Sequence, residues 1–156
     1  MGHFSFYACP ISHGEVPTQD CFDANPLRFI SDENYSGTLD PNYPERAYIP
    51  NNNYEGLIKD GALYKFHHKY QLPANLSGDL VLIQWHYVTG NSCKDVGYDM
   101  YDWPEGFYPG NIPVCSQPLP PDGRGVPEQV CSTMPNRCSY YLLFSFINEH
   151  INTESH

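Results

Sequence analysis

The sequence predicts an all-β sandwich with long, ordered loops, and three observations lead there. Two stretches alternate apolar and polar residues with a period of two, as half-buried strands do. Fifteen Pro and twelve Gly interrupt the chain too often for extended helices, and no segment combines helix caps with a 3.6-residue apolar repeat. Thirteen Tyr supply large half-polar rings of the kind that fasten loops to a sheet. At 156 residues, with 40% hydrophobic and 17% charged, the chain has material for one domain with a real core and is not a disordered acidic tail. No internal repeat or low-complexity tract divides it.

The elements follow in order. "MGHFSFYACP" reads as strand from its first residues: Phe4, Phe6 and Ala8 alternate with His3, Ser5 and Tyr7. "CPISHGEVPTQDC" is a loop bounded by Cys9 and Cys21, and a bridge between them would close it beside the strand end. "FDANPLRFI" offers a short strand around Leu27 to Ile30. Residues 31–61 read as irregular, with Pro41, Pro44, Pro50 and three consecutive Asn, while their Tyr content argues against full disorder.

"ALYKFHHKYQLP" then alternates, with Tyr64, Phe66, His68 and Tyr70 on one face and Lys65, His67 and Lys69 on the other. After the turn "PANLSG" comes "GDLVLIQWHYVTGNSC", in which Val81, Ile83, Trp85 and Tyr87 share one face. Leu80, Leu82, Gln84, His86 and Val88 share the other. These two strands are the best candidates for an antiparallel hairpin. From Cys93 to Val130 the chain reads as loop, and the apolar run from Tyr140 to Ile147 as a buried strand or as a tail foreign to the fold.

A net charge of −10, with eight Lys plus Arg, repels polyanions, so nucleic acid and anionic membrane are not expected partners. An uncharged polysaccharide meets no such penalty. No run reaches the ~18 apolar residues of a membrane span. Six Cys without a CxxC pair disfavour a zinc ribbon or a thioredoxin-like motif and fit disulfides made in an oxidising compartment. Cys9, Cys21, Cys93 and Cys115 are the candidates, with the connectivity open. Two sequons, Asn34-Tyr35-Ser36 and Asn75-Leu76-Ser77, are compatible with secretion. The start has neither the basic nor the long apolar region of a leader, and Phe6 breaks the myristoylation pattern. A domain that opens in mid-strand is expected to be incomplete at its front.

Candidate chemistry is sparse. His67 and His68 are adjacent, so a strand sends them to opposite faces and they cannot readily chelate one metal; one at the surface and one half-buried is the expectation. A cross-strand pair of His67 and His86 would still want further ligands to hold copper or zinc. Asp95, Asp99, Asp102 and Glu105 crowd one loop, where paired carboxylates suit glycoside hydrolysis or calcium, though a solvated acidic loop is the expected reading. No G-x-S-x-G elbow is present. Tyr98, Tyr101, Trp103, Phe107 and Tyr108 form an aromatic loop whose rings would stack on the apolar faces of sugars, or else pack the loop to the sandwich.

"GHFSFYACPI", "TQDCFDANPL", "YQLP", "LVLIQWHYVTGNSC" and "DGRGVPEQ", taken together and in that order, resemble the lytic polysaccharide monooxygenases of the chitin-binding type-4 class, in particular auxiliary activity family 15. The resemblance runs from Gly2 to Gln129 and is best from Tyr64 onward. It implies an immunoglobulin-like β-sandwich, a secreted parent protein, a monomer, chitin- or cellulose-like glycans as partner, and one copper ion held by a histidine brace. It also implies where the ligands fall. The N-terminal brace His would precede this chain. The second, in a pattern H-x-G-[HY]-F, would fall one residue before Met1, since Met1-Gly2-His3-Phe4 matches x-G-[HY]-F. His3 then matches the residue after the glycine and not the ligand. The axial aromatic should follow the PEQ motif, where Val130 and "CSTMPNRCSYY" stand instead. The expectation is therefore a partial domain over residues 2–129, a divergent tail over 130–156, no copper bound by this chain and no catalytic residue within it. Gln84 is expected near the site as a supporting group, and a non-catalytic glycan-binding module using the aromatic loop is the alternative.

Overall fold

The computed structural model describes residues 1–33, 37–50, 59–60, 63–90, 93–107, 113–115, 128–129 and 140–144. Their elements are β1 (Gly2–Ile11), α1 (Gln19–Asp23), β2 (Arg28–Asp32), β3 (Ala47–Ile49), β4 (Lys59–Asp60), β5 (Leu63–Tyr64), β6 (His68–Gln71), β7 (Leu80–Thr89), β8 (Glu128–Gln129) and β9 (Tyr140–Phe144). Among the described residues the fold is all-β, with antiparallel sheets and one five-residue helix.

The two alternating stretches that open with "GHFSF" and "GDLVL" become the longest strands and pair with each other. β1 and β7 run antiparallel in unbroken register from Gly2↔Thr89 to Ile11↔Leu80. β3 adds to the free edge of β1. β8 and β9 share the other edge of β7, β8 against Val88 and Thr89 and β9 against Val81–Trp85. The final apolar run is thus a strand of the main sheet from Tyr140 to Phe144. β2 and β6 form a separate two-stranded ribbon, with an irregularity in register between Phe29 and Ser31.

The expected hairpin between the segment containing His67 and His68 and the strand from Leu80 is not formed. β6 pairs with β2, and β7 with β1. The reason lies in segment 72–79. Leu72 and Leu76 both pack into the core against Ala8, Leu27, Val81 and Ile83, so the chain leaves the ribbon, dips inward and enters the main sheet. A tight hairpin turn would have kept both leucines in water. With the hairpin goes the His67–His86 pair: His67 is exposed on the ribbon beside Glu33, and His86 sits on the sheet face that the ribbon does not cover.

Alternation on both long strands assigns the faces as expected. Phe4, Phe6, Ala8, Val81 and Ile83 face the ribbon, where the Phe6 and Tyr70 rings meet at 4.8 Å and Phe4 meets Phe66 at 5.4 Å. On the ribbon, Phe66, His68 and Tyr70 are half-buried while Lys65, His67 and Lys69 are exposed. The opposite sheet face buries Cys9, Ile11 and Leu82 under Phe22 of α1. That helix went unseen in the sequence because it is a single turn. Its signal is local: Thr18 caps it, its side chain accepting from the Cys21 N–H, and Asp20 stands in the first turn. The Cys9–Cys21 disulfide fixes the helix to β1, and a second disulfide joins Cys93 to Cys115. All four cysteine candidates are thereby paired; Cys131 and Cys138 lie outside the described residues.

Candidate functional site

The sheet face away from the ribbon carries the polar chemistry. Register places His3 beside Val88, Ser5 beside His86 and Tyr7 beside Gln84, all on this face. α1 covers one end, and the loops 37–48 and 93–107 cover the other.

At the α1 end, Gln84 is 2% exposed and makes a reciprocal amide pair with Gln19, each Nε2 donating to the other's Oε1 at 3.1 and 3.0 Å. This satisfies a buried amide and ties the helix to β7. Gln84 is accordingly a clasp on α1.

At the other end the sequence-selected aromatics meet Tyr48 of β3. Tyr48, Tyr98 and Tyr101 form a buried cluster with Trp103 against it. Tyr48 and Tyr101 stack at 3.9 Å, and Trp103 meets Tyr48 at 4.9 Å and Tyr98 at 5.4 Å, edge to face. Trp103 Nε1 donates to the Tyr98 carbonyl at 2.7 Å, and the Tyr101 hydroxyl donates to the Thr38 carbonyl at 2.8 Å. Phe107 packs against Ile49 in a neighbouring cluster. Tyr98 and Phe107 are fully buried, Tyr101 nearly so, and Trp103 is half-buried. The faces of the described rings are thus largely taken by one another, as in loop packing. Tyr108 lies outside the described residues.

Beneath the rings runs a polar chain. His3 Nδ1 and the Tyr98 hydroxyl lie 2.7 Å apart. The Tyr48 hydroxyl donates to Asp40 Oδ2 at 2.6 Å, and Asp40 Oδ1 accepts the Asn42 N–H at 2.8 Å, with Asp40 only 1% exposed. Arg46 donates to the Val96 carbonyl at 2.7 Å and to Asp95 at 3.0 Å, and its guanidinium lies 3.8 Å over the Tyr43 ring. Lys94 pairs with Asp99 nearby. Of the acidic loop residues, Asp95 and Asp99 are therefore engaged in ion pairs, while Asp102 and Glu105 are exposed.

Burial sets the protonation here. It holds His3 well below the ordinary imidazole range, and the Arg46 cation and His86 act in the same direction. Burial also lowers His86, opposed by Asp95 and assisted by Arg46. Tyr48 is raised by burial and by its bond to Asp40, and Tyr98 by burial and the Asp95 charge. Both phenols stay protonated and both imidazoles neutral at neutral pH.

Copper, which the resemblance implies, does not fit this donor set. His3 is the described histidine nearest the relevant strand end, yet its Nδ1 is engaged by Tyr98, and the Arg46 charge disfavours a positive charge on its ring. A further cation there would meet Arg46 at low dielectric. Among the described residues, no cluster of three or more His, Cys, Asp or Glu is placed to hold a metal ion. No oxidative step is assigned to these side chains.

Asp40 and Arg46 were missed because such contacts are set by the fold: Arg46 meets Asp95 at a separation of 49 residues, and His3 meets Tyr98 at 95. The one local signal is the apolar triplet Ala47-Tyr48-Ile49 between Pro44 and Pro50. No family model, curated protein or solved structure matches the chain.

Proposed function

We propose that the chain is the sheet scaffold of a secreted polysaccharide monooxygenase-like protein of the chitin-binding type-4 class, an immunoglobulin-like sandwich directed at chitin- or cellulose-like glycans. One observation carries the reading. Three of the segments on which the resemblance rests lie far apart in sequence yet converge at one end of one sheet. Gly2 pairs with Thr89, the Gly90 N–H donates to the Met1 carbonyl at 2.8 Å, and Glu128 and Gln129 of the PEQ motif pair with Thr89 and Val88. By resemblance, a copper-ligating His belongs one residue before Met1 and the axial aromatic just after Gln129, both at that end. Two formed disulfides support maturation in an oxidising compartment.

The chain's part in this reading is support and not oxidation: among the described histidines, His3 is bonded to Tyr98, His68 packs against Phe4 and Phe29, and His67 stands in water. The alternative of a glycan-binding module working through the aromatic loop loses ground, since Tyr98, Tyr101 and Phe107 are spent on packing.

Two tests separate the parts of the proposal. Copper titration followed by electron paramagnetic resonance should give no tight type-2 site in this chain; a tight site would overturn the assignment of support alone. The transcript upstream of the Met1 codon should encode a leader, a His at its cleavage site and a His directly before Met1. An upstream reading frame without them would remove the family reading.

A further inference from the structure

We propose that Asn75 is an N-glycosylation site and that the turn from β6 to β7 is built to carry the glycan. The inference rests on the secretory part of the proposal above, and not on copper or on glycan as substrate.

The fold adds three things to the sequon Asn75-Leu76-Ser77. First, its residues divide by exposure: Asn75 and Ser77 are exposed while Leu76 is half-buried. Leu76 joins the cluster of Ala8, Leu27, Val81 and Ile83, so it points the acceptor outward by pointing itself inward. Second, the turn is held on both sides. The Leu76 N–H donates to the Pro73 carbonyl at 3.2 Å, and Leu72 is anchored in the same cluster. Beyond the sequon, Gly78 passes so close to β1 that an added Cβ would meet Pro10 Cβ at 3.0 Å and the Ile11 nitrogen at 3.1 Å. Asp79 then accepts the His13 N–H at 3.1 Å. Third, Asn75 sits in the two-residue turn with Ala74, outside every strand, so no ladder bond competes for the space a glycan needs.

The chemistry is balanced by a lipid-diphosphate-linked oligosaccharide. The Asn75 amide nitrogen forms a bond to the anomeric carbon of the first N-acetylglucosamine. The carbon–oxygen bond to the diphosphate breaks, its electron pair leaves with the diphosphate, and the amide proton passes to a base of the transferase. Ser77 supplies the hydroxyl that the sequon requires. Transfer precedes folding, so the fold's contribution is to leave the modified side chain room.

The test is expression of the full chain behind a heterologous leader in a eukaryotic secretory host. Occupancy is read on all translocated protein, retained and released together. Endoglycosidase release in heavy-oxygen water followed by peptide mass spectrometry should find Asn75 converted to labelled aspartate. Asn75→Gln and Ser77→Ala should each abolish that peptide and one step of electrophoretic mobility, while Ser77→Thr keeps both. The peptide readout separates Asn75 from Asn34. Unmodified Asn75 in translocated chain with both disulfides formed would overturn the site and leave the secretory reading intact. Translocated chain that never forms disulfides but carries the glycan would do the reverse.

Discussion

Replacing Gly97 with Ala should destabilise the fold through two separable effects. Gly97 has φ of +91°, a region that costs a residue with a Cβ about 1–2 kcal/mol. The built Cβ would also lie 2.2 Å from Cε2 and 2.9 Å from Cδ2 of Tyr43, so the ring must move. Tyr43 lies under the Arg46 guanidinium, which in turn holds the Val96 carbonyl and Asp95, so a displaced ring disturbs a buried cation. Overpacking of this kind costs about 1–3 kcal/mol. The sum is about 2–5 kcal/mol, and at about 2–4 °C of melting temperature per kcal/mol for a chain of this size the shift is readable by calorimetry. A double-mutant cycle with Tyr43→Ala divides the two effects. Without the ring, Gly97→Ala should keep only the backbone cost, so the coupling should be about 1–3 kcal/mol. An equal cost in both backgrounds would refute the account of how Gly97, Tyr43 and Arg46 fit together.

Other consequences can be checked in the same way. Replacing both Cys9 and Cys21 with Ser should cost about 2–4 kcal/mol in urea denaturation, because the bridge closes a short loop and Cys9 is fully buried. Gln19→Ala should cost about 1–3 kcal/mol by removing the reciprocal amide pair from the buried Gln84, and Gln84→Met combined with it should recover part of the loss. Burial lowers His3 and His86 and brings His68 to about 4, from an ordinary value of 6.5. The unfolded chain therefore takes up protons below about pH 6.5 that the folded chain refuses, so stability present above that pH falls as pH drops toward about 4. Urea midpoints should fall between about pH 7 and about pH 5, and His68→Phe should flatten the fall; a midpoint independent of pH would contradict the burial of these rings.

What the sequence made legible was local. Alternation assigned the side chains from His3 to Ala8 and from Leu80 to Val88 to their faces, because a period of two is a property of the strand itself. Partners were not legible. The hairpin expectation failed because Leu72 and Leu76 in the connecting segment seek the core, a preference visible only once the core's position is known. β3 and α1 were too short for any period to show. The aromatic loop was recognised as a unit, but whether its rings face water or one another depends on Tyr48, which arrives from a strand fifty residues earlier in the case of Tyr98. The polar chain under the rings joins segments that only the sheet register brings together.

The central proposal is that this chain supplies the sheet of a glycan-directed copper protein and does not itself hold the copper. Copper titration of the cooperatively folded chain, followed by electron paramagnetic resonance, tests it most directly. Weak, unsaturated uptake with no type-2 signal at stoichiometric copper is the expected result. A tight one-to-one type-2 site would contradict it.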